Sequence, residues 1–103
     1  MPKLFPTRPL LDAATREHKA IAALNFYNAE TLIAHVRAAN TLNESIILQT
    51  TEATINYLGL QMIRGMAAAA ADQLEQPVAL HLDHGGAHHG FLFGADVFLS
   101  PAG

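Results

Sequence analysis

At 103 residues the chain has room for one domain with a modest core. It is too short for a complete eight-stranded α/β barrel, which takes roughly 250 residues. Half of the residues are hydrophobic, 15% are charged and the net charge is −3, a globular composition with no basic footprint for nucleic acid. Cysteine is absent, which rules out a disulfide framework and a thiolate metal site.

Residues 1–8 form a proline-bearing lead-in with no long apolar core, so no export signal is read there. Pro9 suits the first turn of a helix, with Leu10, Leu11 and Ala14 on its apolar face. Ala20 to Asn25 reads as a short buried strand. Asn28 is a good N-cap. Ala29, Leu32, Ile33, Val36 and Ala39 follow at helical spacing, and residues 40–43 end that helix. Ser45 to Thr50 is a second apolar, β-branched strand, and Thr51 to Thr54 a polar connection. Leu58 to Leu74 reads as one long helix, helped by the alanine run 67–71. Its most apolar stretch, Leu58 to Ala71, contains Gly59, Arg64 and Gly65 and is too short to span a membrane. Pro77 to Asp83 is the third strand.

The order is therefore a helix followed by βαβαβ, which implies a parallel sheet with helical crossovers. Residues 86–103 change character. Glycines and histidines crowd the start of this tail, and Ala95 to Ser100 has the pattern of one short added strand. His18 and His35 are read as surface residues on helices.

The chemistry concentrates in Pro77-Val78-Ala79-Leu80-His81-Leu82-Asp83-His84-Gly85. Apolar strands buried on both faces belong to parallel sheets, and such strands carry chemistry at their C-terminal ends. Asp83 and His84 point to opposite faces of an ideal strand. They reach one pocket only where the chain turns, which Gly85 and Gly86 permit. From the residues alone the pair is either a loop or cap feature, or a metal ligand beside a general acid/base. His81 shares the face of Asp83 and reads as a packed, hydrogen-bonded support. His88 and His89 read as solvated loop histidines, since the neighbouring glycines oppose a helix that would align them with His84.

Three blocks resemble the class II, zinc-dependent ketose-bisphosphate aldolases of the tagatose- and fructose-bisphosphate type. They are residues 23–31 (ALNFYNAET), 46–52 (IILQTTE) and 78–85 (VALHLDHG), with fitting separations over about residues 9–85. The resemblance implies that residues 1–85 are the N-terminal, three-stranded part of a (β/α)8 barrel and that 86–103 form a divergent tail. It implies reversible cleavage of a ketose 1,6-bisphosphate to dihydroxyacetone phosphate and glyceraldehyde 3-phosphate, with zinc polarising the ketone oxygen.

By resemblance Asp83 is the acid/base, His84 the first zinc ligand, and Asn25 and Thr51 lie near the substrate. The family's other zinc histidines and its phosphate loops come from later strands, so this chain by itself is expected to be inactive and to bind zinc weakly. Self-association through open sheet edges is expected, in a cytoplasmic setting. A small non-catalytic α/β interaction module is the alternative.

Overall fold

The computed structural model describes residues 4–83 and 97–99. Four parallel strands form one sheet: β1 (Ala22–Asn25), β2 (Ile46–Thr51), β3 (Val78–Asp83) and β4 (Val97–Leu99). Their spatial order is their chain order, β1-β2-β3-β4. The helices are α1 (Thr7–Arg16), α2 (Ala29–Leu42), α3 (Glu52–Leu58) and α4 (Leu60–Gln73). The added fourth strand falls within the 95–100 segment anticipated from sequence, paired to β3 through Leu80↔Val97. Before α1 the lead-in touches the start of β3, where the Phe5 amide donates to the Val78 carbonyl at 2.8 Å. The rest of the glycine- and histidine-rich tail, with His84, His88 and His89, lies outside the described residues.

Strand periodicity divides the side chains between two faces. Ile46 and Leu48 of β2 and Val78, Leu80 and Leu82 of β3 join the main core with α2, α3 and α4. Ala67, Ala70 and Ala71 are buried on α4, and their small side chains let that helix lie close to its neighbours. On the opposite face Ile47 and Ala79 pack with Leu10 of α1 and with Ile21. Helix α1 thus covers the N-terminal end of that face and leaves the C-terminal end to other residues.

Caps fix both ends of α2. Asn28 accepts from the Thr31 amide at 2.9 Å and forms a capping box at the start of α2. Asn43 ends that helix in the left-handed region, with φ 55°, a conformation asparagine tolerates.

Five expectations are corrected. β1 is an edge strand and not a buried one: Ala22 and Ala23 are exposed and Leu24 and Asn25 half-buried. Thr51 to Thr54 is not a connection: Thr51 ends β2 and caps α3, accepting from the Thr54 amide at 3.4 Å. Leu58 to Leu74 is not one helix, because Gly59 adopts φ 88° and ψ 147° and separates α3 from α4. His18 lies past the end of α1 in a turn with φ 57°. His35 is half-buried, and its Nε2 donates to the Asn25 carbonyl at 2.7 Å. Among the described residues no helix is long and apolar enough to cross a membrane.

Candidate functional site

Asn25, Thr51 and Asp83 are the last residues of β1, β2 and β3. Three adjacent parallel strands therefore deliver the three described site candidates to one end of the sheet. The register sets their heights. Asn25 pairs with Gln49, and Gln49 with His81, making one row across the sheet. Thr51 pairs with Asp83 in the row above. Below them lies the apolar row of Ala23, Ile47 and Ala79. Ile47 and Ala79 lie under α1, while Ala23, on the edge strand, is exposed, so this face runs from an apolar floor on β2 and β3 to a polar rim at the strand ends. A cavity of about 230 Å³ lined by Leu10, Lys19, Ile21 and Glu44 lies at the floor end, away from the polar rim.

Gln49 links the rim. Its Nε2 donates to Asn25 Oδ1 at 2.5 Å and, more loosely, to Asp83 Oδ2 at 3.5 Å. Its Oε1 stands 2.8 Å from His81 Nδ1. Asn25 in turn donates from Nδ2 to the Tyr27 hydroxyl at 3.3 Å. His81 is buried, as the reading of a packed support required. Burial pushes its imidazole below the ordinary histidine range, and the nearby Asp83 carboxylate offsets that only in part.

The structure brings Asn25 and Asp83 together through a residue that sequence reasoning did not single out. Gln49 sits in a β-branched, apolar run and looks like filler. The signal that could have marked it is parity: it lies two residues before Thr51, as His81 lies two before Asp83, so all four share a face. Thr51 is less available than its neighbours. Its hydroxyl caps α3 and lies 3.2 Å from the Thr54 hydroxyl.

A carboxylate at the C-terminal mouth of a parallel sheet, held by an amide donor, can take and return a proton. Among the described residues no three His, Cys, Asp or Glu side chains could hold an ion together.

Residues 6–96 match the family Fructose-bisphosphate aldolase class-II. The fructose-bisphosphate aldolase of Helicobacter pylori (strain ATCC 700392 / 26695) is 40% identical over 77 residues, covering 74% of this chain and 25% of that protein. The enzyme of strain J99 is 39% identical over 77 residues, with the same coverage. A crystal structure from Coccidioides immitis, assigned as a fructose-1,6-biphosphate aldolase, superposes with a TM-score of 0.68 at 32% identity. It covers 75% of this chain and 29% of that one. The chain thus spans about a quarter of the length of the relatives it matches, and its sheet corresponds to an N-terminal part of their barrel. Strand order, the polar strand ends and the sequence match over residues 6–96 agree: this chain belongs to the class II fructose-bisphosphate aldolases.

Proposed function

We propose that this chain supplies the proton-handling corner of a class II aldolase site and that the 103 residues alone do not turn over substrate. The observation that carries this reading is the placement of Asn25, Thr51 and Asp83 at the ends of three neighbouring parallel strands, in a chain of that family. Asp83 takes the proton from the hydroxyl beside the carbon-carbon bond that breaks, and returns it in the condensation direction. Asn25 and Thr51 face the substrate from the ends of β1 and β2. His84 contributes one ligand to a zinc site whose other ligands lie beyond the span this chain shares with its relatives. The substrate class is a ketose 1,6-bisphosphate, tagatose or fructose, and dihydroxyacetone phosphate is one product.

Cleavage needs a positioned acid/base and a grip on both phosphates at once, and each acts mainly in the transition state. Supplying only one corner leaves the reaction without most of that stabilisation. The test is a graft of residues 1–85 onto the remaining strands of a related aldolase, assayed for bisphosphate cleavage. The graft is expected to be active, and Asp83→Ala within it to lose kcat by about 10² to 10⁴. Cleavage by the isolated chain that depends on Asp83 would overturn the claim of inactivity. A folded, active graft indifferent to Asp83→Ala would overturn the role given to Asp83.

A further inference from the structure

We propose that His35 is a positioning residue of this site: from helix α2 its Nε2–H holds the Asn25 carbonyl at the open edge of β1 and so fixes how the Asn25 side chain meets substrate. The ladder sets the direction of that carbonyl. The Phe26 amide donates to the Gln49 carbonyl at 3.0 Å, so Phe26 turns its backbone groups toward β2. The residue before it turns its own the other way. Asn25 therefore aims its carbonyl away from β2, at the edge of the sheet. A carbonyl oxygen only accepts hydrogen bonds, so at 2.7 Å the Nε2 of His35 must carry a proton. Turning the imidazole over would put a ring carbon there, closer than carbon and oxygen approach. The proton on Nε2 is thus fixed whichever way the Asn25 and Gln49 amides are turned.

Satisfying an edge carbonyl does not by itself require a histidine, since water can do it. His35 is half-buried and stands beside the buried Leu32, Val36 and Ala39 of α2, at a position where an aliphatic residue would pack. An imidazole there ties the helix to the end of β1, ten residues back. The connection between them is pinned as well. Phe26 is fully buried, and the Tyr27 and Asn28 amides both donate to Thr31 Oγ1, at 3.1 and 3.3 Å. Asn25 is left with one backbone direction, and its side chain meets Gln49 and Tyr27 at the rim. The same contact limits the edge: a strand laid along β1 cannot claim the Asn25 carbonyl, so pairing there stops short of the rim. The role toward substrate rests on the aldolase reading; the hydrogen bond does not.

The first experiment uses the 103-residue chain labelled with ¹⁵N. Long-range proton-nitrogen spectra at neutral pH are expected to show a proton on His35 Nε2. Hydrogen exchange of the Asn25 side-chain amide should speed up about fivefold in His35→Leu, the loss of roughly one hydrogen bond. His35→Gln, whose amide nitrogen falls near the position of Nε2, is expected to restore the slower exchange. Backbone exchange at Ile63, in the core, confirms that each variant is folded. The second experiment uses the graft. There His35→Leu should lower kcat/KM about fivefold, His35→Gln should recover it, and His35→Leu should have no further effect once Asn25→Ala is in place. A purely structural effect would persist in that background, because Asn25→Ala keeps the backbone carbonyl. A bare Nε2, Asn25 exchange indifferent to His35→Leu, or a loss that persists beside Asn25→Ala overturns the proposal and leaves the aldolase reading standing. An inactive graft carrying the wild-type residues counts against that reading, and the spectra and exchange rates then decide the proposal by themselves.

Discussion

Asn25, Gln49 and His81 occupy one row of the sheet, and each carries a polar head where the row below carries only Ala23, Ile47 and Ala79. That change from apolar to polar within two residues separates the packed end of the face from the chemical end. It also makes the site sensitive to acid. The neutral form of His81 is favoured by the fold, so its folded-state value lies below the ordinary 6.5 of the unfolded chain. Its contribution to stability is complete above that ordinary value. It falls as acidification takes the pH through the unfolded value toward the folded one, because the unfolded chain binds the proton first. Urea unfolding from about pH 8 to about pH 5 should therefore show wild type losing stability relative to His81→Asn, which has nothing to titrate there. A pH-independent difference between the two would contradict this. At this scale the sequence is legible wherever strand parity fixes a face: Asn25 and Asp83 end their strands as expected, and His81 is packed and hydrogen-bonded, whereas Thr51, read as part of a loop, ends β2. It was not legible for Gln49, whose role depends on partners 24 and 32 positions away and on a register that no local pattern specifies. His35 was misplaced for a related reason, since its partner is a backbone carbonyl on another element.

Among the elements, strand order and type followed from alternating apolar runs and amphipathic stretches. The boundary between α3 and α4 did not, because the apolar spacing continues across it while the backbone breaks. Gly59 and Gly65 allow a direct comparison. An added Cβ meets nothing within 4 Å at either position, so only the backbone decides the outcome. Gly59 holds φ 88°, and Gly59→Ala is expected to cost about 1–3 kcal/mol. Gly65 lies inside α4 without a positive φ, and Gly65→Ala should stabilise by about 0.5–1 kcal/mol. Chemical denaturation of the two variants checks both signs; equal signs would show that Gly59 is not the conformational break. The start of α3 carries a similar lesson. Thr51 is read as a loop residue because a threonine pair reads as polar spacer, yet its hydroxyl caps the very next helix and leaves no connection between strand and helix.

For the whole molecule, β1 stands at one edge of the sheet. A cavity of about 290 Å³ opens beside it, lined in part by Ala22, Leu24, Ala38, Leu42 and Ile46. Leu42 there is 70% exposed. An unpaired parallel edge next to apolar surface favours association. Light scattering coupled to size exclusion should find the chain self-associating at micromolar concentrations and above, and Leu42→Lys should shift it toward monomer. A monodisperse wild-type monomer would contradict this expectation. The strand order has a further consequence. Every strand pairs with the one made just before it, so the sheet grows in the direction of synthesis. Each new βα unit, as it leaves the ribosome, meets a completed strand edge and need not wait for sequence still unmade. The edge at which growth stops is always the youngest one, and a nascent chain of this design carries only one sticky growing margin at any moment, apart from the fixed edge of β1.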